Sequence, residues 1–382
     1  MASTKNRYDW QELAGAFGDL GTLIPFVVAY VSLLGMSPNA ILLALGAASI
    51  VAGLYYRTPF PVQPMKAIGA AATVQAAHGI ALAPGAVVGA GLVTGLIWLL
   101  LAATGLAKRI AKWIPGPALL GVIMGLGFSF MLEGIRMMQR GGWVSALLLA
   151  LTLMLLSRPA FPAMLALLVV GALVALAQEP GLIDQLAALR WSPGLPALAW
   201  SSLGWHDLWT GTLLLALPQL PLTFGNALIA ITEENNRLFP DRPVSERQVA
   251  YSTGLLNLWG SAVGGVPMCH GAGGMAGHVQ FGARTGGASV MLGVLLVGIG
   301  FFLGDSAATL FRIFPPSVLG VILFLAGVQL AISGKEPGER VERFVVLTTA
   351  AFAVWNVGAA VAFGFLAYHA SRRGWLRIGP GE

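Results

Sequence analysis

The chain is short of charge. Only 10% of its 382 residues are Asp, Glu, Lys or Arg, against roughly a quarter in soluble domains. Cysteine is nearly missing, and the single Cys269 excludes an intrachain disulfide and any cysteine metal cluster. No hydrophilic stretch is long enough for a separate soluble domain, so no regulatory domain is expected. Residues 1–12 are polar, and the apolar stretch behind them lacks a small-residue cleavage pattern, which argues against a cleavable signal peptide. There is no HExxH motif and no nucleophile elbow, so nothing points to an enzyme. His270 and His278 stand eight residues apart without a third suitable ligand, so neither a metal nor a cofactor is expected.

What fills the chain is apolar sequence, 57% of all residues. Runs of membrane-spanning length recur from Gly15 to Tyr368. The expected fold is an all-α polytopic membrane protein forming one transmembrane unit over 1–382. Seven spans are placed near 13–34, 38–55, 59–79, 84–105, 115–135, 142–157 and 160–177. Seven more lie near 208–232, 247–263, 264–282, 285–304, 313–333, 342–355 and 356–370, the last two short enough to be one long helix instead. The piece between the sets, 178–207, holds Trp191, Trp200 and Trp205 and reads as an interfacial segment.

Charge gives an independent check. With both termini cytoplasmic, only Arg136, Arg140, Arg190 and Arg312 fall outside and only Lys66 falls within a span; the rest of the 22 Lys and Arg are cytoplasmic. This is the positive-inside pattern, and it explains the net charge of +6 without a nucleic-acid partner. The expected location is the plasma (inner) membrane.

Two glycine-rich breaks interrupt the apolar sequence about 200 residues apart: PVQPMKAIGA at 61–70 and GVPMCHGAGG at 265–274. LGVI also recurs at 120–123 and 319–322. Asp19-Leu20 aligns roughly with Gln219-Leu220 at the same offset. Seven is an odd number of spans, so the second repeat enters from the opposite side and the repeats are inverted. Paired breaks in an inverted repeat point to a transporter's binding site.

Pro61, Pro64 and Pro267 disfavour continuous helix, and the small residues behind them allow close helix approach. Each break therefore begins a half-helix near mid-membrane, where irregular backbone must be buried in protein or line a cavity. Two half-helix N-termini facing each other supply about one positive charge, and Lys66 roughly one more. That suits a dianion. His270 is a further candidate donor, and Ala67, Gly271 and Ala272 place backbone N–H groups at the two starts. FGDLGTLIPF at 17–26 adds Asp19 and Thr22; PQLPLTFGNALIA at 218–230 adds Gln219, Thr223 and Asn226 on one helical face. Thr223 and Asn226 serve equally well as interhelical hydrogen-bonding groups. Asp19 has two readings, a carrier of a coupling proton or a cap on a local turn beside Gly18 and Gly21.

FGDLGTLIPF, PQLPLTFGN and especially PMCHGAGGMAGHVQFGARTGG at 267–287 resemble the molybdate transporter family, related to the sulfate permeases. The resemblance covers nearly the whole chain. It implies fourteen spans in a seven-plus-seven inverted repeat, with spans 3 and 10 each a short strand plus a half-helix. It further implies a core (8–112 and 208–304) moving against a gate (113–178 and 313–370), with molybdate held between the half-helices. Tungstate and sulfate are competing ligands, and a homodimer is the implied assembly. The alternatives are a carrier for sulfate or another oxyanion, or an anion channel on the same scaffold. A nucleobase carrier fits less well, because Lys66 and His270 favour an anion over a neutral base.

Overall fold

The computed structural model describes residues 5–65, 68, 82–113, 115–156, 163–332 and 340–375. Helix α1 (Trp10–Ala16) starts on Asp9, whose carboxylate accepts from the N–H groups of Gln11 and Glu12. A single 3-10 turn, Phe17–Asp19, joins it to α2 (Leu20–Leu34), which ends at Gly35 with φ 61°. Ser37 caps α3 (Pro38–Tyr56), with proline in the first turn where a missing N–H costs nothing. Strand β1 (Gln63–Pro64) follows. The first half continues through α4 (Pro84–Thr104), α5 (Leu106–Trp113), α6 (Gly116–Gln139), α7 (Trp143–Leu156), α8 (Ala163–Gln178) and α9 (Gly181–Ala187).

The second half opens with α10, a helical run over 205–238 that contains two π-helical stretches, Gly211–Ala216 and Gly225–Ala230. Then come α11 (Glu246–Ala262), strand β2 (Met268–Cys269), α12 (Ala272–Gln280), α13 (Gly287–Leu303), α14 (Ala307–Phe311), α15 (Pro316–Ala331), α16 (Arg340–Trp355) and α17 (Val357–Arg372). The C-terminal apolar stretch is thus two helices, separated at Asn356, whose side chain caps Ala359.

Among the described residues five helices are long and apolar enough to cross a membrane, or six if the bent pair α8–α9 is one span. The others are shorter or interrupted: a 16-residue helix such as α15 rises only about 24 Å. Between α9 and α10 the chain is extended apart from a 3-10 turn at Ala199–Ser202, with Trp191 and Trp200 exposed there and Trp205 exposed at the start of α10.

Glycine sets which helices touch. On α3, a Cβ at Gly46 would lie 2.7 Å from the Gly293 carbonyl oxygen of α13, and one at Gly293 would lie 2.6 Å from that of Gly46. Gly95 of α4 and Gly254 of α11 form a second reciprocal pair, 3.0 Å each way. Helices can approach this closely only where no side chain intervenes. The effect is to close the helices around the paired strands.

Candidate functional site

The two breaks meet as a two-stranded antiparallel ladder. Gln63 pairs with Cys269 and Pro64 with Met268, and the Met65 N–H donates to the Pro267 carbonyl at 2.8 Å. Two side chains hold the ladder's outer edges. Asn257 of α11 grips Met268 by both backbone groups, donating to its carbonyl at 2.7 Å and accepting from its N–H at 3.0 Å. Tyr30 of α2 donates to the Met65 carbonyl at 2.8 Å. Proline removes ladder donors at 64 and 267, so these bonds satisfy backbone that is buried at depth.

Beyond β2 the chain stays extended at Gly271 and then starts α12. The first donor of that helix, the Ala272 N–H, reaches the Asn226 side-chain oxygen of α10 at 3.3 Å. Beyond β1 the Ile68 N–H reaches the Gln219 side-chain oxygen, also on α10, at 3.2 Å. Thr223 fixes the orientation of Gln219 by accepting from its Nε2 at 2.8 Å. One helix therefore presents buried oxygen acceptors to both breaks, from two positions seven residues apart in the sequence. Lys66 and Ala67, singled out in the sequence, lie outside the described residues.

Asp19 and Thr22 come to the same place from the other side. Both are buried, and the Thr22 hydroxyl donates to the Asp19 carboxylate and backbone carbonyl. Gly18 and Gly277 make the approach possible: a Cβ on either would fall 2.2 Å from the other's carbonyl oxygen. The 3-10 turn carrying Asp19 thus crosses α12 at backbone contact.

His270 is fully buried, with both ring nitrogens engaged by protein groups. Nδ1 faces the Pro61 carbonyl at 2.7 Å and so carries a proton; Nε2 lies 2.8 Å from the Ser252 hydroxyl. Ser252 in turn meets the Tyr56 hydroxyl at 2.6 Å, and the imidazole stands edge-on to Phe60 and Tyr56. In this conformation His270 braces the joint between β2 and the segment leading into β1. His278, in the last turn of α12, does the same for Pro59, with Nδ1 at 3.2 Å from its carbonyl.

Three participants were not singled out from the sequence. Gln63 lies within the quoted motif but reads there as a spacer between prolines; its partner Asp19 is 44 residues away. Its Nε2 donates to the Asp19 carboxylate and to the Thr22 hydroxyl. Asn257 and Ser252 sit on α11, where polar residues at that spacing carry no local signature. The FGARTGG end of the long motif has a separate task. Glu12 of α1 accepts from the N–H groups of Arg284 and Thr285 at 3.0 and 3.3 Å, and the Thr285 hydroxyl accepts from the Arg7 N–H at 3.0 Å.

This is a buried array of backbone donors and side-chain amides built on two paired breaks. A family model described as "Molybdate transporter of MFS superfamily" matches residues 11–130 and 211–330. The chain belongs to the molybdate transporter family. It is 31% identical to Molybdate transporter 2 of Arabidopsis thaliana, over 92% of this chain and 85% of the relative. It is 29% identical to Molybdate transporter 1 of Chlamydomonas reinhardtii, over 94% of this chain and 90% of the relative. Its fold is similar to the transmembrane domain of the cyanobacterial bicarbonate transporter BicA, with TM-score 0.59 at 17% identity, covering 95% of this chain and all of that one. The murine Slc26a9 anion transporter in its inward-facing state matches with TM-score 0.63 at 12% identity, covering 98% of this chain and 70% of that one. A family of transporters, not enzymes, and a helical membrane fold make this an integral membrane protein of the transporter class.

Proposed function

We propose that this chain carries molybdate across a membrane by alternating access, as a secondary active transporter. The anion sits between the start of α12 and the segment that follows β1. Gly271 and Ala272 supply backbone N–H groups there, and Thr22, Gln219, Thr223 and Asn226 close the sides. Lys66 and Ala67, outside the described residues, join the proposed site by their place in the sequence of the first break. The observation that carries this reading is the pair of α10 acceptors. Gln219 and Asn226 place oxygens on the donors that open the two breaks, and an oxyanion's oxygens are suited to the same donors.

Fourteen spans in a seven-plus-seven inverted repeat fit the observed pairings. The α3–α13 contact at Gly46 and Gly293 has its counterpart in the α11–α4 contact at Gly254 and Gly95, and the antiparallel β1–β2 pair joins the two breaks to each other. The two stretches matched by the family model also begin 200 residues apart, at 11 and 211. Residues 8–112 and 208–304 then form the core, and 113–178 and 313–370 the gate. Phe130 of α6 bears directly on the start of α12, since a Cβ at Gly273 would strike its ring. Movement of the gate would uncover that point. In this arrangement His270 acts on the site through the strand joint.

The test is calorimetry of the purified protein with molybdate, tungstate and sulfate, alongside uptake into proteoliposomes. Saturable molybdate uptake that outruns sulfate, and that falls in Lys66→Gln, supports the proposal. Currents far above carrier turnover would replace it with an anion channel.

A further inference from the structure

The Gln63 side chain is fully buried, and it joins two features that the transport reading treats separately. Its Nε2 is on Asp19 and Thr22. Its Oε1 finds no hydrogen-bond donor among the described residues, although it lies against the start of α12: a Cβ at Gly271 would sit 2.0 Å from it. The Asn226 amide nitrogen is also at that spot, 3.5 Å from the same Cβ position. An amide thus spans the gap between a buried carboxylate and a helix N-terminus, with its acceptor end toward the terminus. A carbonyl oxygen there opposes an incoming anion.

We propose that Gln63 is the residue that couples proton binding to anion binding, a deepening that rests on the transport reading above. A carboxamide is nearly symmetric in shape, so its two ends exchange by rotation about one bond. With Asp19 ionised, the NH2 group donates to the carboxylate and the oxygen faces α12. When a proton from solution binds Asp19 Oδ1, the carboxyl gains an O–H donor. Gln63 then turns over. Its oxygen accepts from the Asp19 O–H and the rotatable Thr22 hydroxyl, and its NH2 group joins the donors at the α12 start. The anion site acquires a donor and loses an acceptor in one rotation. Proton and dianion therefore bind together.

The other titratable groups on the elements around Asp19 are engaged elsewhere. Glu12 of α1 holds the Arg284 and Thr285 backbone. Tyr30 of α2 donates to Met65. His270 and His278, flanking and within α12, face the Pro61 and Pro59 carbonyls. Helix α15 carries no titratable side chain. Lys66 follows Gln63 by three residues, outside the described part.

The experiment is molybdate titration calorimetry of the full chain across pH, in paired buffers of different ionisation enthalpy. Wild type is expected to take up a proton on binding, so affinity rises as pH falls and weakens roughly tenfold per pH unit above the carboxyl midpoint. Gln63→Met is expected to bind more weakly and to lose the proton uptake; Asp19→Asn is expected to bind with no pH dependence. Infrared difference spectra of wild type should show a protonated carboxyl appearing with molybdate, missing from Asp19→Asn. A Gln63→Met protein with wild-type proton uptake overturns the proposal. If that variant does not fold, wild type still decides: binding without proton uptake or a carboxyl band overturns the coupling alone, whereas no molybdate binding at all overturns the transport reading.

Discussion

The two breaks share a backbone and differ in their side chains. Each runs extended through a proline, pairs with the other, and gives a backbone N–H to an amide of α10. At the second break the supporting groups close on themselves: Asn257 completes the ladder edge, and His270 is spent between Ser252 and Pro61. At the first break Gln63 turns to a carboxylate. The two breaks present two backbone donors to α10, and the difference between them places a buried carboxylate, Asp19, on Gln63 of the first. Variants at the two breaks should therefore fail in different ways.

The largest effect is expected where the breaks touch. Gly271→Val drives a branched side chain into Gln63 and toward Asn226. A Cβ that close cannot be absorbed by a packed site. Molybdate binding should be lost altogether in calorimetry, and a variant that binds within threefold of wild type would remove Gly271 from the site.

Next come the α10 acceptors. Asn226→Leu leaves the Ala272 N–H unsatisfied at the start of α12, at about 1–3 kcal/mol. Gln219→Leu does the same to the Ile68 N–H and also strands Thr223. Both should weaken molybdate by roughly tenfold or more. The comparison sharpens if only Asn226→Leu alters the pH dependence of uptake, because Asn226 serves the α12 start that Gln63 faces. Identical pH profiles would make the breaks equivalent after all.

Much of this was legible before any fold was known. The paired prolines and glycines marked both interruptions. Gln219, Thr223 and Asn226 were placed on one face by helical spacing, and two of them do reach the breaks. What spacing cannot show is the partner across a fold. Gln63 gains its meaning only from Asp19 and Gly271, brought together by the Gly18–Gly277 crossing. His270 looked like a ligand because it sits at a helix start; the hydroxyl and carbonyl that occupy it belong to α11 and to the segment before β1. The long motif 267–287 reads as one signature, yet its ends serve different structures.

Ser252→Ala tests the bracing at the second break. It leaves His270 Nε2 without its hydroxyl partner and should cost about 1–3 kcal/mol of stability. Thermal unfolding in detergent should move down clearly, with molybdate affinity of the folded protein shifting less than in Asn226→Leu. The reverse order would return His270 to direct contact with the anion.

The smallest effect on binding is expected at the far end of the motif. Glu12 receives two backbone N–H groups from the FGARTGG turn, and that turn also binds the chain near Arg7. Glu12→Gln keeps one acceptor but sets an NH2 group against the other donor, at about 1–3 kcal/mol because the lost bond is to a charged group. The cost falls on stability, since α12 stands between this turn and the donors at its own start. Unfolding should therefore shift while molybdate affinity holds within about twofold, less than 0.5 kcal/mol. If affinity falls with stability, the turn that ends α12 and the donors that begin it act as one rigid unit, and the division of the motif into a binding end and a tethering end is wrong.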